Sequence, residues 1–154
     1  MDIKQSLLNG FKEFMVERPV RHKTPADILA HLEASGHKVA TRFNGAPDLP
    51  RNRSAIRHIV GIERWGQNRL RVALGQPLVI DEMDGYVPSE STGWEELKAG
   101  FVATRQETVQ LAREVIKAGA LDKTVQHNQF GDITVRGWLN YLRAHASREG
   151  LRVR

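Results

Sequence analysis

Apolar residues recur at steps of three and four along most of the chain, and strand-length runs of period-two alternation are scarce, so the pattern predicts an all-α protein. Ile3, Leu7, Phe11 and Phe14 fall on one face of a short N-terminal helix that Pro19 and its neighbours should end, and residues 1–22 read as an appendage. Thr24 as N-cap and Pro25 at the first helical position open a helix over about 25–40, with Ile28, Leu32, Ser35 and Val39 on its stripe. Gly45, Pro47 and Pro50 then mark a loop from Asn44 to Arg53. A long helix follows over about 52–74 and stops at Gly75 and Pro77. Residues 76–93, rich in acidic and turn residues, form a long connection of the kind that crosses a bundle. Thr92 and Glu95 have capping-box spacing, and Trp94, Leu97, Phe101, Thr104, Thr108, Leu111 and Val115 trace the clearest amphipathic helix, up to Gly119. After a loop around 128–131, a last helix begins near Thr134 and runs toward the C-terminus. Four main helices with apolar stripes predict a four-helix bundle with an extra short N-terminal helix. The long connection would let the second and third main helices run parallel, which makes the expected connectivity up-down-down-up.

The chain has 154 residues, 40% of them hydrophobic, which fits a single domain over 1–154. No run approaches the roughly 18 apolar residues of a membrane span, and the first residues lack the layout of a signal peptide. A cytoplasmic protein without a membrane partner is expected. The absence of cysteine excludes disulfides, thiolate metal sites and cysteine nucleophiles, so a bound metal would need His, Asp or Glu. Lys and Arg number 23 against 18 Asp and Glu, and the net charge of +5 permits an anionic partner without demanding one. No Gly-rich phosphate loop, GxSxG elbow or HExxH sequence is present, which disfavours nucleotide hydrolysis and serine-hydrolase chemistry.

Polar residues where the core should be are more informative. In the last helix Val135, Trp138, Leu142, His145, Glu149 and Arg152 follow at steps of three and four, so His145 and Glu149 occupy the apolar stripe. An ionised carboxylate there costs several kcal/mol of desolvation unless a cation or a hydrogen-bond donor meets it. The i, i+4 spacing stacks both side chains over adjacent turns, where one divalent ion could engage both. A third donor is required, and His58, at the edge of the stripe formed by Ile56, Ile59, Ile62 and Trp65, could point into the same seam. Two imidazoles and one carboxylate with open positions suit Zn, Ni, Fe, Mn or Co. The plainer alternatives are a hydrogen-bonded His145 and Glu149 pair closing the bundle end, a solvated Glu149 in a frayed terminus, and a boundary role for His58. Glu63 also lies on an apolar side but too far around the helix from His58 to share an ion, which predicts an arginine partner. His127 is the one catalytic candidate, either an acid-base residue facing the site or, on the preferred reading, an ordinary loop histidine. His22, His31 and His37 carry no comparable context, and His31 is expected in solvent.

The run Arg57-His58-Ile59-Val60-Gly61-Ile62-Glu63-Arg64-Trp65 and the run from Phe130 to His145 resemble, respectively, the second-helix histidine motif and the beginning of the fourth helix in the DinB/YfiT-like metalloprotein superfamily of bacterial four-helix bundles. The likeness covers roughly residues 24–154. It implies a divalent metal held by one histidine from the second helix and two from the fourth, which carries over to His58 and His145. Glu149 stands where the third histidine is usual, and a carboxylate there favours harder ions. The resemblance further implies a homodimer and thiol-dependent transfer with low-molecular-weight thiols, or hydrolase or isomerase roles.

The resulting expectation is a metal-dependent S-transferase or hydrolase acting on a small molecule, its ion making a bound thiol or water nucleophilic. The alternative is a non-catalytic binding or structural bundle in which Arg51, Arg53, Arg57, Arg148, Arg152 and Arg154 contact nucleic acid or an acidic protein. Those arginines project in several directions without aromatic interleaving, which argues against nucleic acid.

Overall fold

In the computed structural model, which describes residues 2–154, the chain is mostly helical. Among the described residues, no helix is long and apolar enough to cross a membrane. The predicted start signal at Thr24 is a full capping box: Asp27 N–H donates to Thr24 Oγ1 (3.1 Å) and Thr24 N–H donates to the Asp27 carboxylate (3.4 Å), opening α2, Pro25–Asn44. Pro50 occupies the first turn of α3, Pro50–Ala73, two residues ahead of the predicted start. The fourth long α-helix of the described chain, α5, spans Val135–Gly150 and is capped by Thr134, as the sequence predicts. Between α3 and α5 lies α4, Trp94–Lys117, which ends where Gly119 takes φ +65° and Ala120 N–H bonds back to the Val115 carbonyl. The expected box at its start is absent. Gly93 is the N-cap, because the Thr92 amide already donates to Ser89 in a turn, and Glu95 pairs with Lys98 instead.

Two expectations are corrected by the structure. The chain is not purely helical: β1 (Thr124–His127) and β2 (Gly131–Thr134) form an antiparallel hairpin with Val125 opposite Ile133 and His127 opposite Gly131. Four residues per strand are too few to register as alternation. At the N-terminus, α1 (Ile3–Phe11) runs into a π-helical turn, Lys12–Glu17, where the Arg18 amide bonds to the Glu13 carbonyl. Helix α1 buries none of its residues, so Ile3, Leu7 and Phe14 of the predicted stripe are 79%, 69% and 63% exposed, while Val16 in the π-helical turn is buried. The segment is nonetheless tied down. Glu17 accepts from Thr134 N and Thr134 Oγ1 at 2.7 Å each, at the positive end of α5, and Asn140 Nδ2 donates to the carbonyls of Met15 and Val16.

The core divides into two apolar clusters. One gathers Leu32, Trp65, Val109, Trp138 and Leu142, the other Val39, Ile59, Phe43, Phe101 and Ala146. Along each long helix a polar or small residue separates them: Ser35 on α2, Glu63 on α3, Thr104 and Arg105 on α4, His145 on α5. Glu63, 1% exposed, receives a bidentate pair of hydrogen bonds from Arg105 (2.6 and 2.9 Å) and a third from Thr108 (2.8 Å), while Arg105 also donates to the Leu32 carbonyl and Ser35. The arginine partner predicted for Glu63 is therefore present, and both oxygens of this buried carboxylate accept hydrogen bonds.

Close approach of α3 and α5 is set by Gly66. A Cβ built there would lie 2.5 Å from Leu142 Cδ2 and 3.1 Å from its Cγ, and Leu142 is itself fully packed. Gly66→Ala is expected to lower stability by about 1–3 kcal/mol through overpacking, read as a shifted urea midpoint with unchanged slope.

Candidate functional site

His58 lies two turns before Gly66 on α3, and His145 lies one turn after Leu142 on α5. The tight contact at Gly66 thus brings the two imidazoles together, with Nε2 to Nε2 at 3.1 Å and ring centroids 5.0 Å apart. His145 is buried and His58 half-buried. Burial first, then the neighbouring His58, push the His145 pKa down from 6.5 to about 4, against the opposing pull of Glu149. His145 is consequently neutral at pH 7 and offers a lone pair rather than a charge.

Glu149 is buried, as its place on the stripe predicts, but its carboxylate is met by arginines of its own helix: Arg148 Nε at 3.3 Å and Arg152 at 3.1 Å. Two guanidiniums, both largely in solvent, supply the cation the desolvation argument requires. Among the described residues, no three His, Asp or Glu side chains are gathered so as to hold a metal ion. The structure brings together two of the three predicted ligands and turns the third toward Arg148 and Arg152.

His127 departs from the preferred loop reading. It ends β1, is 3% exposed, and sits in a cage of aromatic rings: Phe130 stacked at 4.5 Å, with Trp65, Trp138 and Tyr141 at 5.3, 5.0 and 4.9 Å. Its Nδ1 accepts from the backbone amides of Gln129 and Phe130, and burial together with the charge of Arg69 lowers its pKa to about 4. A histidine neutral in the fold but protonatable near 6.5 when unfolded stabilises above pH 6.5, and this contribution is lost as pH falls toward 4. Acid unfolding of the wild type should show that loss, at most about 3 kcal/mol from this residue, and His127→Phe should remove this residue's share of the slope between those pH values while the share of His145, lowered to about the same value, remains.

Arg69, missed in the sequence because it sits inside an apolar helix face, is buried against the Trp65 ring (5.1 Å). It donates to the Val79 carbonyl and to Asn128 Oδ1 and lies 3.7 Å from Asp81. Trp65 Nε1 and Asn128 Nδ2 both donate to the Asp81 carbonyl, so the connection 76–93 is pinned to α3 and to the hairpin beside the aromatic cage. Its 3-10 turn, Met83–Tyr86, packs on α3 near Gly61.

Two clefts adjoin the site. One, of about 220 Å³, is lined by Ile62, Met83, His127, Gln129 and Tyr141, the other, of about 230 Å³, by Phe11, Phe130, Gln129, Tyr141 and His145. A further cleft, about 340 Å³, lies between α2 and α4 and touches none of the predicted ligands. Arg105, at its floor, is already committed to Glu63.

The chain matches no family model, no curated protein and no solved structure.

Proposed function

We propose that this chain is a divalent-metal-dependent four-helix bundle of the DinB-like type, with His58 and His145 as imidazole ligands and Glu149 as the third donor. Residue pairings between helices support the bundle topology. Glu63 meets Arg105 and Arg71 meets Glu107, so α3 and α4 run parallel, whereas Leu142 packs on Gly66 and Arg154 bonds Asn52, so α5 runs antiparallel to α3. Glu33 with Arg113, and Ser35 with Arg105, set α2 antiparallel to α4. Taken together these directions support up-down-down-up connectivity.

The observation that carries the metal reading is the facing pair of Nε2 atoms at 3.1 Å. Two nitrogens bound to one tetrahedral ion at about 2.05 Å stand about 3.3 Å apart, so the pair fits adjacent ligands with little movement. The neutral state of His145 fits the same role. A divalent ion held there supplies Lewis acidity, which makes a thiol or water nucleophilic near neutral pH. Of the chain's own groups, Tyr141 stands one turn before His145 with its ring 6.1 Å away, between the two clefts, where it would orient a substrate. Thiol transfer or hydrolysis on a small molecule is the reaction class we infer.

A second reading, a structural bundle, is favoured by the pairing of Glu149 with Arg148 and Arg152. The nucleic-acid version of it has less support, since Arg53 is held by Asp48, and Arg57 by the Pro88 carbonyl. Elemental analysis after incubation with Zn, Ni or Mn separates the two: one ion per chain, lost in His58→Ala and Glu149→Ala, fits the metal reading, and an empty wild type leaves the structural one.

A further inference from the structure

Helix α1 buries none of its residues, yet its last residue, Phe11, stacks on Phe130 with ring centroids 5.5 Å apart. Phe130 is the fixed member of that pair: it is buried, and its ring is also stacked with His127 at 4.5 Å. Phe11 remains 42% exposed. The π-helical turn Lys12–Glu17 follows at once, and Phe11, Met15 and Val16 all line one cleft, of about 230 Å³, that reaches His145. An α-helical continuation would have turned Val16 about 140° away from Phe11. Single π-helical turns recur at functional sites, and here the turn lets three side chains share one wall. The remaining walls come from the hairpin and α5, as Phe130, Tyr141 and Ala144, with Gln129 and Arg148 as further polar members. An apolar cavity of about 150 Å³ is enough to hold benzene, so this cleft admits one aromatic ring with a short substituent. It is too small for a partner's helix, which measures about 10–12 Å across with its side chains.

We propose that this cleft binds the aromatic arm of the small molecule on which the chain acts, and that Phe11 is its specificity-determining wall. Phe11, Phe130 and Tyr141 favour a ring over an aliphatic chain of similar size, because aromatic pairs gain several-fold in affinity beyond the area they bury. A ring seated there leaves the rest of the molecule beside His145, at the end of the cleft where the ion would stand. The N-terminal segment thereby acquires a use that packing does not give it, since α1 adds no buried residue to the core. The arm's place in the reaction rests on the metal reading, whereas the capacity of the cleft to hold a ring does not.

The test titrates benzyl alcohol, with 1-butanol as the ringless control, into the full-length wild type in the presence of a chelator, and reads proton–proton Overhauser contacts from the probe to assigned side chains. The ring protons are expected to contact the methyl groups of Met15, Val16 and Ala144, and benzyl alcohol should bind about tenfold more tightly than butanol. Phe11→Ala should weaken benzyl alcohol about fivefold, with a urea midpoint that barely moves because Phe11 is already half exposed, and Phe11→Tyr should keep the wild-type affinity. After zinc loading, phenylmethanethiol is expected to bind about tenfold more tightly than it does in chelator, with benzyl alcohol unchanged. Contacts to Ile62 and Met83 of the neighbouring cleft instead, equal binding of butanol, or an unchanged affinity in Phe11→Ala overturns the proposal. A chain that holds the ring but takes up no zinc overturns the metal reading and the arm's place in its reaction, while the ring site stands on the titration in chelator.

Discussion

Glu63→Ala is expected to lower the unfolding free energy by about 3–5 kcal/mol, the usual cost of stranding one member of a buried ion pair. Arg105 would keep its charge in a site where its remaining partners are the Leu32 carbonyl and Ser35, and the Thr108 hydroxyl would fall back on the Thr104 carbonyl at 3.2 Å. Arg105→Leu should cost a similar amount by leaving the carboxylate alone. The double variant should recover part of the loss, because two apolar residues of comparable volume end the desolvation of both charges. Urea unfolding of the four proteins gives the coupling directly. Additive losses would mean that the pair is solvated in solution. The polar layer also has a positional effect: it keys α2, α3 and α4 to one register, and α3 carries His58.

The second large effect concerns the histidine pair. His145→Ala should weaken zinc binding by more than about 100-fold, since loss of a residue that merely orients a ligand already costs about 10–100-fold. His58→Ala should behave alike. Glu149→Gln separates the ions: it keeps the side-chain shape but not the charge, and the loss should be larger for manganese than for zinc, because carboxylate oxygen matters more to the harder ion. Calorimetric titration of each variant checks both statements, and equal affinity of His145→Ala and wild type for zinc would remove His145 from the ligand set.

Much of the helical frame was legible in the chain. Thr24 with Pro25, Gly119 and Thr134 each specify a helix boundary by local chemistry, and those boundaries stand where the sequence places them. The hairpin was hidden because its strands are four residues long and its inward positions, Val125 and His127, do not read as a stripe. The N-terminal stripe was misassigned because α1 buries none of its residues, so its apolar spacing meets no core face, and packing begins only in the π-helical turn at Val16. At the site, an arginine partner for Glu63 could be anticipated from its burial, while Arg105 itself was masked by the threonines on either side of it in the stripe. The burial of His127, read from the sequence as an ordinary loop histidine, was hidden because its cage comes in part from Trp65 and Trp138, separated from it in sequence and joined to it by the fold. His58 and His145 were found because a polar residue on an apolar stripe needs a partner, and each became the other's.

The most direct measurement is a zinc titration of the wild-type chain followed by the histidine ring nitrogens in NMR. The expected result is that the Nε2 signals of His58 and His145 move together, saturating at one ion per chain, while exposed His31 stays in place. If zinc leaves both signals where they were, or shifts only surface histidines, the facing imidazoles are a hydrogen-bonded pair and the chain is not a metalloprotein of the proposed kind.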